Sequence, residues 1–258
     1  MGIQGSVLNW MKSYRCDRSQ RVVINGQMSD WSETNAGVPQ GSILGPLLFL
    51  VFINDIVIDL ETDPFLFADD TSLFHSFKNR EIAFQTFNRD LDRLSTWADQ
   101  WRVEFNASKT VFMTISMKQI RGSFPNLFMN NIQLTPVPCH THLGLTLTEN
   151  LTWDKHVDRI CSNALKSVNI LKRLCLKIPR ETKLKIYKTF IRPKLEYANV
   201  IFDACSEVKS RQLENAQRQA ALVCSHAYRH TSHTSLLQDL GLDLLSTRRK
   251  CHKLNIFF

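Results

Sequence analysis

Apolar positions along the chain change their spacing several times, and each change marks an element. Val7, Leu8, Met11 and Tyr14 recur at helical intervals and predict a short amphipathic helix near the start. Arg21-Val22-Val23-Ile24 is extended in character. Asn25-Gly26 follows it, then the run Gln27 to Trp31, which is the pattern of a β-hairpin with a tight turn. Gly45-Pro46 opens a helix that is apolar on most sides through Ile58 and is therefore expected to be largely buried. Phe65 to Ala68, read as a buried strand, and Thr71 to Phe77 predict two strands with Asp69-Asp70 at the bend. Asn79 caps a long helix to Trp101, whose apolar seam is Phe84, Phe87, Leu91, Leu94, Ala98 and Trp101. Trp97 and Trp101 read as core residues of that helix.

Short strands are expected at Val103–Asn106, Val111–Ile115, Leu127–Met129, Ile132–Leu134 and Thr141–Leu147, with Asn130-Asn131 as a hairpin turn. From Trp153 the pattern is helical. Val157, Ile160, Ala164, Val168, Leu171 and Cys175 make one stripe. Further helices are expected over Arg180–Ile191, Pro193–Phe202, Ser206–Cys224, Thr234–Leu240 and Leu244–Phe257. The fold class is α+β: a partial antiparallel sheet with helices to about residue 150, then an α-helical region over 151–258.

Charge sharpens that division. Residues 1–150 carry 12 Lys+Arg against 15 Asp+Glu, a balance of −3, whereas residues 151–258 carry 20 against 9, a balance of +11. A basic module attached to a slightly acidic one points to a polyanionic partner, nucleic acid first. On charge alone, solvated Lys/Arg helix faces explain the same numbers equally well. The longest apolar run, Pro46 to Ile53, is far short of the ~20 residues that span a bilayer, so no membrane role is expected. The seven cysteines include no pair at metal-ribbon or redox spacing. They read as reduced thiols of an intracellular protein, nuclear or cytoplasmic. Met1 to Ser6 fits a loose myristoylation pattern that chance matches often supply.

Two stretches carry candidate chemistry. Asp69-Asp70 places adjacent carboxylates at a hairpin tip, where a hard, oxygen-seeking cation such as Mg²⁺ relieves their repulsion. A solvated Asp-Asp turn is the plainer reading of the dipeptide by itself. In Gly37-Val38-Pro39-Gln40-Gly41-Ser42, exposed glycine backbone can approach a flat ligand such as a nucleotide, and Gln40 can both donate and accept.

The run Ala36 to Phe49, with Ile53-Asn54-Asp55 after it, closely resembles the second conserved block of reverse transcriptases from retrotransposons lacking long terminal repeats. Phe67-Ala68-Asp69-Asp70 resembles their third block, Phe105-Asn106 with Lys109-Thr110 the fourth, and His142-Leu143-Gly144 the fifth, the primer grip. Ile191-Arg192-Pro193, Leu195-Glu196-Tyr197-Ala198, Arg229-His230-Thr231-Ser232 and Leu240-Gly241 are similar to the tail that follows the polymerase core. The resemblance runs in order along essentially the whole chain.

It implies a reverse-transcriptase palm over 1–150 and a helical thumb with a C-terminal extension over 151–258. Asp69 and Asp70 would bind catalytic Mg²⁺, with Mn²⁺ as a substitute. Gln40, Gly41, Phe67 and Ala68 would border the incoming nucleotide and the template. Lys109 would lie near the triphosphate as proton donor to the leaving pyrophosphate. His142, Leu143 and Gly144 would support the primer end. The implied partners are an RNA template, a DNA primer and deoxynucleoside triphosphates, and the implied chemistry is two-metal nucleotidyl transfer.

The sequence departs from the family pattern in one respect. Family members carry a further aspartate on an upstream palm strand, but the only acidic residues before the Gly37 loop are Asp17, Asp30 and Glu33, and none follows an apolar strand. The fingers region and first strand are likewise expected outside this sequence, as in a truncated copy or a fragment that is inactive alone. The competing expectations are a non-catalytic nucleic-acid-binding remnant and a decayed reading frame. Weaker candidates are a zinc site at Cys224, His226, His230 and His233, one at Cys139-His140-Thr141-His142, and phosphate contact by Arg248-Arg249-Lys250, His252 and Lys253.

Overall fold

The structure is a computed structural model that describes residues 4–34, 36–117, 124–174 and 177–257. The first residues of the myristoylation pattern and Cys175 of the helical stripe lie outside them. In chain order the elements are α1 (Ser6–Arg15), β1 (Ser19–Gln20), β2 (Val23–Ile24), β3 (Gln27–Met28), β4 (Ser32–Glu33), α2 (Leu44–Ile53), β5 (Asp63–Phe67), β6 (Asp70–Phe74) and α3 (Arg80–Trp101). Then come β7 (Val111–Phe112), β8 (Phe128–Met129), β9 (Ile132–Gln133), β10 (Thr135–Pro136), β11 (Cys139–His142) and β12 (Leu145–Thr148). The helices α4 (Asp154–Leu174), α5 (Arg180–Ile186), α6 (Arg192–Glu196), α7 (Glu207–Ser225), α8 (His233–Leu240) and α9 (Leu245–Phe257) complete it, with a π-helical turn at Tyr187–Ile191 between α5 and α6.

These elements form two compact units, Met1–Ser108 with Phe124–Leu134, and Lys109–Ser123 with Thr135–Phe258. Packing and charge thus divide the chain differently: the β11–β12 hairpin belongs with the helices.

The expected partial antiparallel sheet is realised, among the described residues, as two-stranded ladders only. The β7–β10 ladder is parallel, and the others are antiparallel. Asn25 and Gly26 turn the β2–β3 hairpin with both φ positive, 51° and 81°, and Asn130 and Asn131 turn β8–β9 with φ of 50° and 61°. These are the angles a two-residue hairpin loop needs to match strand twist. The stretch expected as one strand over Thr141–Leu147 is instead a hairpin, broken at Leu143-Gly144. Val103–Asn106 is not a strand, because α3 ends at Arg102 in the left-handed conformation and the chain turns back at once.

In the first unit Ile53 and Ile56 pack on Leu94 of α3, joined by Phe49, Phe52, Leu73, Trp97 and Phe105. The Asn79 side chain accepts from the Ile82 amide at 3.3 Å and starts α3 as expected. Three expectations of burial are corrected. The α2 helix stops at Ile53, short of Ile58, and buries only Gly45 and Ile53; Leu47, Leu50 and Val51 are exposed. An all-round apolar helix needs cover on every side, and here one face alone meets a core. Phe65, Leu66 and Phe67 of β5 are exposed as well, because among the described residues β5 pairs only with β6. Trp101 is likewise exposed, and Trp97 is half-buried with its indole N–H donating to Asp55 at 2.9 Å.

The second unit has the larger core. Val157, Ile160, Ala164, Val168 and Leu171 of α4 join Tyr187, Ile191, Leu195, Leu213, Ala216, Ala220 and the leucines of α8 in one cluster. The stripe read from the sequence is the buried stripe. Ser206 and Ser232 cap α7 and α8 by accepting from the amides of Lys209 and Ser235. The expected helix Pro193–Phe202 is shorter, since the chain leaves α6 at Tyr197 (φ −56°, ψ 123°) and Ala198 takes φ 54°. Before it, the Arg192 amide reaches back to Tyr187. That turn widens because Pro193 has no N–H to offer and its ring crowds the preceding turn.

Candidate active site and its supporting hairpins

In the first unit Phe67 pairs with Asp70, so Ala68 and Asp69 form the tip of the β5–β6 hairpin. Ala68 takes φ 52°. Phe67, Ala68, Asp69 and Asp70 are all exposed. Neither aspartate takes part in an ion pair or side-chain hydrogen bond among the described residues. Two exposed carboxylates without a counter-charge are the oxygen donors a hard divalent cation takes together with substrate phosphates. Nitrogen or sulfur ligands to complete a site for a softer metal are not at hand: among the described residues no three His, Cys, Asp or Glu gather at one point.

The hairpin is anchored from behind by a carboxylate the sequence reading did not single out. Asp90 of α3 is fully buried. Its oxygens accept from the Glu61 amide at 3.0 and 3.1 Å and from the Thr62 amide at 2.8 Å. Arg93 Nη1 adds a bond of 2.8 Å. Burial pushes the Asp90 carboxyl up, but the bonds from these amides and Arg93 outweigh it and hold it below the ordinary range. Glu61 and Thr62 lead directly into β5, so Asp90 fixes where the aspartate hairpin leaves α3. The available signal was a lone acid on the otherwise apolar side of an amphipathic helix.

Gln40 and Gly41 lie in a loop that folds on itself. Ser42 Oγ donates to the Pro39 carbonyl at 2.8 Å and accepts from the Gly45 amide at 2.9 Å, tying the loop to the first turn of α2. A Cβ on Gly45 would meet the Pro39 carbonyl at 3.0 Å, so this glycine serves a close backbone approach. Gly41 has φ 79°, and Gln40 is exposed. Loop and hairpin rest on one cluster, the loop through Phe49, Phe52 and Ile53 of α2 and the hairpin through Leu73.

Lys109, His142, Leu143 and Gly144 fall in the second unit. Lys109 is exposed beside the short strand β7. Leu143 and Gly144, with φ of 46° and 79°, are the two-residue loop of the β11–β12 hairpin, in which His142 pairs with Leu145. Two of the hairpin's contacts come from α4: the Thr146 amide donates to His156 Nδ1 at 3.2 Å, and Arg159 donates to the Gly144 carbonyl. His156 is fully buried. Burial, and then the charge of Arg159, lower its pKa to about 4, so the ring is neutral and Nδ1 is free to accept.

Several residues of the weaker candidates meet partners within their own unit. His226 meets buried Lys183 rather than joining Cys224 in a ligand set. Arg248 pairs with Glu196, while Arg249 and Lys253 reach Asp203 at 3.5 and 3.3 Å. These three cations of the basic run thus meet carboxylates of their own unit, His252 lies 2.8 Å from the Asn199 side-chain amide nitrogen, and Lys250 is exposed. Lys166, Lys172, Arg173 and Lys185 are exposed cations with no carboxylate partner among the described residues. No helix of the described residues is long and apolar enough to cross a membrane.

Residues 3–147 match the family model for reverse transcriptase (RNA-dependent DNA polymerase). Among curated proteins, the RNA-directed DNA polymerase from mobile element jockey of Drosophila melanogaster is 30% identical over 205 residues, covering 74% of this chain and 22% of that protein. The probable RNA-directed DNA polymerase from transposon X-element, also of Drosophila melanogaster, is 27% identical over 241 residues, or 90% of this chain and 26% of its own length. A Pol polyprotein from a type-1 retrotransposable element R1 of Nasonia vitripennis is 27% identical over 145 residues, 54% of this chain and 35% of that one. The chain therefore spans about a quarter of the length of the first two relatives. No solved structure matches it.

Proposed function

This chain belongs to the reverse transcriptase family, of the kind carried by retrotransposons without long terminal repeats, and from that premise we propose that it supplies the metal-binding hairpin and the primer-end support of an RNA-directed DNA polymerase. The observation that carries the reading is the pair Asp69, at the tip of a two-stranded hairpin, and Asp70, the first residue of its second strand, both exposed inside the matched stretch. In this reading residues 1–150 are palm and residues 151–258 are thumb and extension.

Asp69 and Asp70 would hold Mg²⁺, or Mn²⁺ in its place, and a cation there would supply neutralisation of phosphate charge and a lowered pKa for the primer hydroxyl. The loop at Gln40 and Gly41, with Phe67 and Ala68, borders the deoxynucleoside triphosphate and the RNA template. The primer 3′ oxygen gives its proton to solvent water and bonds to the α-phosphorus as the bond from that phosphorus to pyrophosphate breaks. Lys109 gives a proton to the departing pyrophosphate. The Leu143–Gly144 turn carries the end of the DNA primer. Lys166, Lys172, Arg173 and Lys185 face the phosphates of the duplex.

Two carboxylates do not reach both ions of a two-metal site unaided, and the acids upstream, Asp17, Asp30 and Glu33, are not on an apolar strand. The chain is proposed to be inactive alone and to complete the site with residues outside these 258. Primer extension on an RNA template with Mg²⁺ tests this, using the chain alone and fused behind the segment that precedes the match in the jockey polymerase. Extension is expected only from the fusion and is expected to vanish in Asp69→Ala and Asp70→Ala. Template-dependent synthesis that survives both substitutions would overturn the assignment.

A further inference from the structure

The Leu143–Gly144 turn is held at both of its carbonyl groups. Tyr197 donates its phenol to the Leu143 carbonyl at 3.0 Å, and Arg159 donates to the Gly144 carbonyl. The Tyr197 ring also lies under the turn: a Cβ added to Gly144 would meet Tyr197 Cε1 at 3.0 Å. Position 144 is therefore restricted twice, by its φ of 79° and by the ring beneath it. In a two-residue hairpin the carbonyls at the tip point away from the strand ladder, and here two side chains from the helices take them up.

Tyr197 is not a core residue. Its neighbour Leu195 is buried, but Tyr197 itself is 59% exposed. The backbone leaves α6 at this point, with Tyr197 at ψ 123° and Ala198 at φ 54°. The π-helical turn at Tyr187–Ile191 and Pro193 immediately precede it. Leaving a tyrosine in water forgoes most of what its burial contributes. What the residue gains in exchange is the contact with the turn. On the turn, the Leu143 side chain is 37% exposed.

We propose that Tyr197 is a positioning residue, which with Arg159 clamps the Leu143–Gly144 turn so that exposed Leu143 meets the terminal nucleotide of a recessed primer 3′ end. This inference rests on the primer-end reading of the turn. It links the tail motif Leu195-Glu196-Tyr197-Ala198 to the hairpin 54 residues upstream, so the tail acts on the polymerase core through one phenol and one ring face. A fixed turn loses less entropy when it engages a ligand than a mobile one, which is how a residue that never touches the primer alters its binding.

The test uses the 258-residue chain and two DNA duplexes of equal length. One has a recessed 3′ end with 2-aminopurine as its terminal base, and the other is blunt. Tyr197→Phe removes the bond to Leu143 and keeps the ring; Tyr197→Ala removes both. One uncharged hydrogen bond corresponds to about fivefold in affinity, so Tyr197→Phe is expected to lower the preference for the recessed end about fivefold and Tyr197→Ala at least as much. Terminal 2-aminopurine fluorescence should shift toward that of the free duplex. Blunt-duplex affinity and the melting temperature of the chain are the references. Variants that keep the wild-type preference would overturn the clamp and leave the primer-end reading standing. A parallel fall in end preference, blunt-duplex affinity and melting temperature would show an ordinary fold contact and also overturn it. A wild-type chain without preference for recessed ends would overturn the primer-end reading first, and the clamp with it.

Discussion

The Thr146 amide in β12 donates to Nδ1 of His156 in α4 at 3.2 Å. This bond requires an uncharged imidazole, because a protonated ring has no lone pair at Nδ1. Burial is the larger cause and the Arg159 charge the second, and together they lower the His156 pKa from 6.5 to about 4. The native state thus binds fewer protons than the unfolded chain between those values. The resulting stability is fully present above pH 6.5 and is lost as pH falls toward 4. Urea unfolding at pH 7, 5.5 and 4.5 should show stability declining by roughly 2–3 kcal/mol across this window. Burial also lowers the pKa of His233, so His156→Gln should flatten the slope in part. A slope identical in the variant would mean that His156 takes up its proton as readily in the folded chain as in the unfolded one.

Asp90 makes a prediction of the same sign from the same linkage, in a more acidic window. Its folded pKa lies below 3.8, so the stability it contributes is present above that value and is lost as pH falls through the folded pKa, below the range of the histidine effect. Asp90→Asn puts an N–H₂ where a carboxylate oxygen accepts an amide, leaving a buried donor facing a donor. The expected cost is about 1–3 kcal/mol at pH 7, read as a lower melting temperature. Because Glu61 and Thr62 lead into β5, amide exchange should quicken in the β5–β6 hairpin before it does so in α7. Unchanged exchange at Phe65 to Phe67 would show that the hairpin does not depend on this anchor.

Much of this was legible from spacing alone. The turns Asn25-Gly26 and Asn130-Asn131, the Asn79 cap and the α4 stripe are local patterns whose physics is complete within a few residues, and the structure has them where the spacing puts them. The aspartate hairpin was legible for the same reason. Burial was not legible where it depends on a neighbour: α2 and Phe65 to Phe67 read as core because they are apolar, yet each has cover on one side at most among the described residues. The Leu143–Gly144 turn was hidden inside an apparently continuous strand, since leucine at φ 46° leaves no local signature. Long-range pairs such as Tyr197 with Leu143 and Asp90 with Glu61 carry no spacing signal.

Gly144 offers a direct check on the second unit's hairpin. Alanine at φ 79° costs about 1–2 kcal/mol in backbone strain, and its Cβ would press on the Tyr197 ring at 3.0 Å. Gly144→Ala should therefore destabilise the chain, and the double variant Gly144→Ala with Tyr197→Ala should recover the steric part of the loss. If the double variant is destabilised by the sum of the two single effects, the ring and the glycine are not in contact.

The exposed cations of the helical unit make the last prediction. Residues 151–258 hold a net +11, but net charge does not say which side chains meet phosphate. Arg248, Arg249 and Lys253 are held by Glu196 and Asp203, and Lys209 is held by Asp158 at 2.5 Å. A cation already paired must give up that partner to release a DNA counterion, so it contributes less to a salt-dependent slope. Lys166, Lys172, Arg173 and Lys185 carry no such debt. On duplex DNA each phosphate contact contributes about −0.9 to the slope of log K against log salt. Replacing these four residues by glutamine should make the slope shallower by about 0.9 for every one that contacts phosphate. Substituting Arg211, which pairs with Glu207 at 3.0 Å on the exposed face of α7, removes the same charge from a paired site and should leave the slope nearly as it was. Fluorescence anisotropy across a salt series measures both. Equal slopes for the fourfold variant and the wild-type chain would remove these side chains from the duplex-binding face, and an Arg211→Gln change as large as any single lysine's would show that bulk charge, not position, governs binding.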